Sequence, residues 1–368
     1  MLLTKWLRRA ALPFAGSLSL FGCEFAGPQS ALDPIGAVAR SQNDLFMWSY
    51  WLTWIVLVPV FGVLAYILIR FRRRRSDPDR IPPQFHGSTA LEIGLTIVPV
   101  LIVIAVAVPT VRTIFATENR AEPGENDVIV NVTGYQWWWR FEYPELGIVT
   151  ANELHVPEGS RVILNLDSAD VLHSFWVPRL AGKRDLIPNQ NNQLWFTADE
   201  AGTYYGQCAE LCLGAHAYMR FRVIAEPEDE FEAWVDAFDD PGARTVQADP
   251  QVQRGRELFS SKGCVNCHTV AGHREGVSTG DPDFPNLTNF GLRTSLAAGV
   301  VDNTQDNLEA WLRDPQQIKP GNYMPTMWRE GDENADEEIA AVAAYLLSLG
   351  TEPDASAHAS LGGSNGDR

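Results

Sequence analysis

"C-A-E-L-C-L-G-A-H-A-Y-M", residues 208–219, sets two cysteines, a histidine and a methionine within twelve positions. The chain has 368 residues and five cysteines: Cys23, Cys208, Cys212, Cys264 and Cys267. A disulfide, a zinc site and a copper site are all compatible with two cysteines placed so close together. A disulfide leaves the histidine and the methionine unexplained. Zinc takes two cysteines and two histidines, but a thioether is a poor zinc ligand and suits copper.

A copper site needs a second imidazole, and "DVLHSFWVP" supplies His173 ahead of the loop. Cys212, His216, Met219 and His173 complete a one-copper set, with thiolate and imidazoles in the plane and a weak axial thioether. Cys208 is then surplus. With both sulfurs engaged, two copper ions are bridged instead. Each keeps one histidine, Met219 serves one copper, and the carbonyl of Glu210 serves the other. Charge spread over two coppers and two sulfurs suits one-electron transfer.

The surroundings of the loop read as strands. "DVIVNVTGYQWWWRFEYP", "RVILNLDSAD", "NQLWFTA" and "MRFRVIAE" are β-branched or aromatic runs bounded by turn residues. Residues 120–225 therefore predict a β-sandwich or barrel. An acidic, helical connector and linker follow at 226–249.

The N-terminal third reads as membrane-bound. Residues 1–22 carry a basic start and an apolar run, as a signal peptide of lipoprotein type does, ending before Cys23. Residues 23–44 form an extracytoplasmic segment. Residues 45–69 have no charged side chain and exceed the ~20 needed to cross a bilayer. A second span lies within 92–115. The loop between them, 70–91, contains "RFRRRR" and belongs in the cytoplasm by the positive-inside rule. Everything after the second span then lies outside. Net charge is −17, with acidic residues dominating beyond the spans, which argues against nucleic acid and fits basic protein partners.

The second cysteine pair lies in "C-V-N-C-H", residues 264–268, a c-type haem attachment pattern. Cys264 and Cys267 would form thioethers, with His268 as proximal ligand. A thioredoxin-like CxxC is the alternative, but no βαβ pattern surrounds it. "GNYMPTMW" offers Met324 or Met327 as sixth ligand; Met324, followed by Pro325 in a turn-rich run, is preferred. Residues 250–350 read as a small all-α cytochrome c domain, with Gly350 ending its last helix, and 351–368 as a disordered tail. His273 reads as a surface loop residue. His86, His155 and His358 receive no role.

In order along 40–225, the two-helix hairpin, "GYQWWWRFEY", "VLHSFWVP", "RLAGKRDLIP" and the cysteine loop resemble subunit II of the haem–copper cytochrome c oxidases. The C-terminal part resembles a class I cytochrome c, fused as in caa3-type oxidases. The resemblance implies a cupredoxin-like copper A domain on a transmembrane hairpin. It implies dinuclear copper held by His173, Cys208, Glu210, Cys212, His216 and Met219, and magnesium shared with subunit I through the Glu210 side chain. Trp137 becomes the point at which electrons reach copper, against a blander reading of the tryptophans as a membrane-interface surface. Glu92, at the start of the second span, becomes a proton-inlet residue. The implied partners are subunit I, subunit III, and a donor such as a cytochrome c or a quinol-oxidising complex. The implied activity is electron input to a proton-translocating terminal oxidase of a bacterial cell membrane, with oxygen chemistry in subunit I. An electron-input subunit of a nitric oxide reductase and a membrane-tethered carrier are the rival readings.

Overall fold

A computed structural model describes residues 27–72, 87–118, 120–239, 249–271, 273, 283–329 and 331–350. The signal segment, Cys23, most of the arginine-rich loop with His86, the linker after 239, and the tail with His358 lie outside the described residues.

Two long helices come first: α1, Ala37–Arg70, and α2, Thr89–Glu118. Leucine, valine, isoleucine and tryptophan side chains stay exposed on all their faces, as in a segment whose solvent is lipid. The Trp48 indole donates to the Ala105 carbonyl across the pair (3.0 Å). At 34 residues α1 spans roughly 50 Å, well beyond the ~30 Å hydrocarbon core. It starts at Ala37 rather than near 45 because its first turns belong to the next layer. Val38 and Ala39 are buried there, and the Ile35 and Gly36 amides donate to the Arg179 carbonyl (2.8 and 3.1 Å). Ion pairs Arg40–Asp199 and Glu118–Arg184 tie both helices to the same layer.

That layer is a β-sandwich of two five-stranded sheets. The first is ordered β3 (Ile148–Ala151), β2 (Trp138–Tyr143), β1 (Val128–Tyr135), β5 (Arg161–Ser168), β8 (Asn192–Thr197). The second is ordered β4 (Glu153–Pro157), β10 (Arg220–Glu226), β9 (Gly202–Cys208), β6 (His173–Trp176), β7 (Arg184–Leu186). Alternate residues point inward, so β1 and β2 deliver Val130, Val132, Trp139 and Phe141 to the space between the sheets. Trp139, Phe141, Phe175 and Phe221 meet there as an aromatic cluster, with Phe175 and Phe221 centroids 4.4 Å apart. The acidic connector is helical as expected (α3, Glu228–Asp239), and its Phe231 and Trp234 complete this same core.

A second core holds the C-terminal unit. Helices α4 (Pro250–Ser261) and α7 (Ala335–Leu347) cross in contact. Gly255 makes that possible, because a Cβ there would lie 2.0 Å from the Ala341 carbonyl oxygen. Helices α5 (Gln305–Arg313) and α6 (Pro315–Ile318) and a two-stranded hairpin, β11 (Ser295–Leu296) with β12 (Val301–Asp302), complete it. Gly350 takes φ +93° just past α7, the left-handed stop its position predicts.

The β-unit should be most sensitive at its aromatic cluster. Phe221→Ala should lower its stability by about 3–5 kcal/mol, read as a shift in the denaturant midpoint with the slope unchanged.

Candidate metal centre

The candidate metal loop begins where β9 ends. Cys208 is the last residue of that strand, and its amide donates to the Met219 carbonyl (2.9 Å), closing the loop onto β10. Leu213 and Gly214 turn the chain with φ of +67° and +35°, and a 3-10 turn at His216–Tyr218 leads to Met219. A non-glycine residue in that backbone region is a strained turn held by its surroundings. His173 opens β6, next to β9, and so reaches the loop from the earlier strand.

Every predicted donor converges. The Cys208 and Cys212 sulfurs are 3.9 Å apart. His173 Nδ1 is 3.8 Å from the Cys208 sulfur, and the Glu210 carbonyl is 3.2 Å from it. His216 Nδ1 and Met219 Sδ lie 3.5 and 3.8 Å from the Cys212 sulfur. Cys208, Cys212, Met219 and His173 are all buried. Asp170 takes the hydrogen bond of His173 Nε2 (2.8 Å), which turns Nδ1 towards the sulfurs. Burial alone would lower His173, but the bonds to Asp170 and Cys208 raise it overall. The Cys208 thiol is held down to about 4, first by the Cys212 thiol and then by His173, while Cys212 is pushed up by its neighbour. The two shifts are opposite in sign because a charge on one sulfur disfavours a charge on the other; a bound cation would favour both thiolates.

The three adjacent tryptophans part company. Trp139 enters the core beside His173. Trp138 stacks on Tyr135 (4.6 Å) and its indole donates to the Asp283 carbonyl of the C-terminal unit (3.2 Å). Trp137 is buried against the metal loop, and its indole N–H donates to the Cys212 carbonyl (2.9 Å). None of the three makes a membrane-facing surface, so the interface reading of this stretch fails.

In the C-terminal unit, Cys264 opens a single 3-10 turn, Cys264–Asn266, Cys267 follows it, and the His268 amide donates to the Cys264 carbonyl (2.9 Å). His268 Nδ1 donates to the Pro285 carbonyl (2.9 Å), leaving Nε2 as the free lone pair. Burial lowers His268, which favours the neutral, ligating form. Met324 and Met327 both rest partly buried against the second core. The loop before Met324 is built around Asn322. Its side-chain oxygen accepts the Met324 amide (2.7 Å), and its side-chain nitrogen donates to the carbonyls of Lys319 (2.6 Å) and Pro315 (3.2 Å).

This loop sits on the metal loop. The Tyr323 ring lies 4.6 Å from that of Trp137, and its hydroxyl donates to the Gln136 side chain (3.2 Å). Lys319, buried, donates to the Trp137 carbonyl (2.5 Å), and burial pushes its ammonium down to about 7. Sequence reasoning missed Tyr323, Lys319, Asn322 and Asp170; only Asp170, three residues before a ligating histidine, carried a readable signal.

Other expectations fall elsewhere. Glu92 lies exposed in the first turn of α2, at the end away from the β-unit. The Glu210 side chain is exposed. His273 is buried, bonded to the Ser260 hydroxyl and the Tyr345 hydroxyl (both 2.7 Å), not a surface residue as expected. His155 is buried against Trp234 and bonded to Glu226 (2.9 Å).

Comparison with known proteins gives three family matches. Residues 33–113 match the cytochrome C oxidase subunit II transmembrane domain, 147–226 the cytochrome C oxidase subunit II periplasmic domain, and 252–350 cytochrome c. Cytochrome c oxidase subunit 2 of Alkalihalophilus pseudofirmus is 40% identical over 336 residues, covering 90% of this chain and 94% of that protein. Its counterpart in Bacillus sp. (strain PS3) is 39% identical over 334 residues, covering 88% and 92%. Among solved structures, the periplasmic domain of subunit II of cytochrome oxidase (CoxB) of Bradyrhizobium japonicum aligns at 31% identity and a TM-score of 0.31, covering 32% of this chain and 96% of that one.

The contact of Trp137 with the metal loop leaves no spare room. A Cβ at Gly214 would lie 2.1 Å from the indole. Gly214→Ala should therefore displace the ring and cost about 1–3 kcal/mol, seen as a lower denaturation midpoint with an altered near-ultraviolet circular dichroism spectrum.

Proposed function

The chain belongs to the subunit II family of the cytochrome c oxidases, and on that premise we propose the route by which it feeds electrons to oxygen. In this route haem c, held by the C-terminal unit, would take the electron from an external donor, and dinuclear copper, held by the β-unit, would hand it on to the haem–copper centre of subunit I. Oxygen is reduced there, coupled to proton translocation. Electron input to a haem–copper oxidase, from a two-pass subunit of a bacterial membrane that carries a cytochrome c domain, is the family's coarser role; the route and its residues are the proposal.

His173, Cys208, the Glu210 carbonyl, Cys212, His216 and Met219 would hold the copper pair. Cys264 and Cys267 would hold haem c through thioethers, and His268 Nε2 and Met324 would ligate its iron. The donor set fits: two soft sulfurs, two imidazoles, a thioether and a carbonyl converge in one buried site. When bound, each group supplies reversible one-electron chemistry.

The observation that carries the route is the contact chain between the two ligand loops. Met324 is adjacent to Tyr323, Tyr323 lies over Trp137, and Trp137 bonds the Cys212 carbonyl. Trp137 is thus the last side chain before copper. Leu211 and Leu213 stand exposed on the metal loop, an apolar surface suited to subunit I. The exposed Glu210 carboxylate is free to share magnesium with that subunit, and Glu92 is assigned to the cytoplasmic proton inlet. Subunit III and a cytochrome c or quinol-oxidising donor complete the assembly, with both cofactor units on the extracytoplasmic side.

Cys208→Ser removes one bridge but leaves a one-copper set. Metal analysis should give one copper in place of two, and the mixed-valence paramagnetic signal should vanish; a variant keeping both would sink the bridged pair.

Met324→Ala should abolish the weak sulfur-to-iron band at the red end of the oxidised haem spectrum and lower the haem potential, since thioether ligation raises it. If Met327→Ala does this and Met324→Ala does not, the axial ligand is Met327.

A further inference from the structure

Apart from the contacts of Trp137 and Trp138, the two units also meet at strand β4. Strand β4 is the edge of its sheet, yet all five of its residues are buried. An edge strand is ordinarily open to solvent. Part of its cover is the β11–β12 hairpin of the C-terminal unit, and the contact is polar. Glu153, 1% exposed, accepts the Thr294 amide (3.0 Å), the Thr294 hydroxyl (2.9 Å) and the Ser295 hydroxyl.

The registers explain the fit. Glu153 pairs with Arg222 across β4 and β10, and Ser295 pairs with Asp302 across β11 and β12. Arg222 reaches Asp302 (2.6 Å) and the Thr294 hydroxyl (3.1 Å) beside it. A paired anion and cation on one sheet thus meet a paired donor and anion on the other. The turn at the opposite end of the hairpin is itself constrained: Ala297, Ala298 and Gly299 hold φ of +57°, +65° and +71°, and Ala298 is buried. Two alanines in that backbone region persist only where packing holds them there. Behind Glu153, His155 (3.9 Å) and then Glu226 extend the network into the β-unit.

We propose that Glu153 is the positioning residue of the interdomain seam: its carboxylate captures Thr294 and Ser295 and so fixes the haem unit at the register that seats Tyr323 on Trp137. One buried carboxylate taking several donors defines position more sharply than apolar contact does, because any shift leaves the buried acceptor unpaired. Glu153 touches neither ligand loop; it acts through the rigid body of the C-terminal unit. The importance of this role rests on reading the Tyr323–Trp137 contact as the electron crossing, but the capture itself is tested without electron transfer.

The test is hydrogen exchange, followed by mass spectrometry, on the purified oxidase with both cofactors loaded. Glu153→Gln should accelerate exchange about tenfold in peptides covering 294–303, and also in those covering 319–324 and 136–138, which Glu153 does not touch. Asp302→Asn should change the remote peptides less than twofold, because Asp302 is 72% exposed and its pair is screened. Acceleration confined to 294–296 would overturn the proposal, as would an equal remote effect from Asp302→Asn. Should Glu153→Gln also unfold the β-unit, seen as lost protection over 139–143, the double variant Thr294→Ala, Ser295→Ala removes both hydroxyl donors from the other side and leaves only the Thr294 amide. It should loosen 319–324 and 136–138 in the same way, and protection there equal to the parent protein would refute the capture. Either negative result leaves the copper and haem assignments intact, since metal content and haem spectrum test those separately.

Discussion

Two buried sulfurs 3.9 Å apart cannot both be charged without positive charge between them. That constraint organises the β-unit. The sulfurs come from the end of β9 and the loop after it, and the imidazoles from the start of β6 and the turn before β10. A fold that brings these strand ends together must hold them still, because the donor atoms face one another while still unlinked. The aromatic cluster supplies the stiffness: Trp139 contacts His173 edge-on and backs onto Phe175 and Phe221. Asp170 fixes the ring of His173, and Trp137 with Gln136 fixes the Cys212 carbonyl. Packing and hydrogen bonding thus preorganise a site whose own groups repel.

Much of this was legible in the sequence, for a physical reason. Ligands are few in kind, and softness and spacing narrow the metal, so Cys208, Cys212, His216 and Met219 announce themselves within twelve residues. The hairpin showed in hydropathy, and β1, β2, β5, β8 and β10 showed as aromatic and β-branched runs. What stayed hidden was whatever depends on the meeting of distant segments. Tyr323 has no signature beyond its methionine neighbour. Glu153 in "NELHVPEG" looks like any surface glutamate, because its partners lie some 140 positions later. His273 was misread for the same reason: its partners Ser260 and Tyr345 come from opposite ends of the C-terminal unit. The start of α1 was misplaced because hydropathy reports where lipid begins, not where a helix does. Its first turns carry Arg40 and bury Val38 against protein instead.

The joints between layers differ in kind. Where the membrane hairpin meets the β-unit, backbone hydrogen bonds and the burial of Val38 and Ala39 do most of the joining. The ion pairs Arg40–Asp199 and Glu118–Arg184 are partly exposed and are worth about 0–1 kcal/mol each. Where the haem unit meets the β-unit, the aromatic contact of Tyr323 with Trp137 is flanked by polar contacts of buried groups: Glu153 with Thr294 and Ser295, and Lys319 with the Trp137 carbonyl.

A polar seam adds little net affinity, since desolvating a charge offsets most of what its partners return. Covalent linkage makes affinity unnecessary. The haem unit follows the β-unit after a short connector, and a tether of that length holds an effective concentration in the millimolar range before any contact forms. What tethering cannot supply is orientation. Each unit has its own hydrophobic core, and an apolar seam would tolerate several rotations of one on the other. Buried donors and acceptors do not, because each wrong register strands them without water. The polar chemistry of the seam therefore matches what the tether leaves undone. The connector keeps the haem unit near, and Glu153 and Lys319 decide which face it turns towards Trp137.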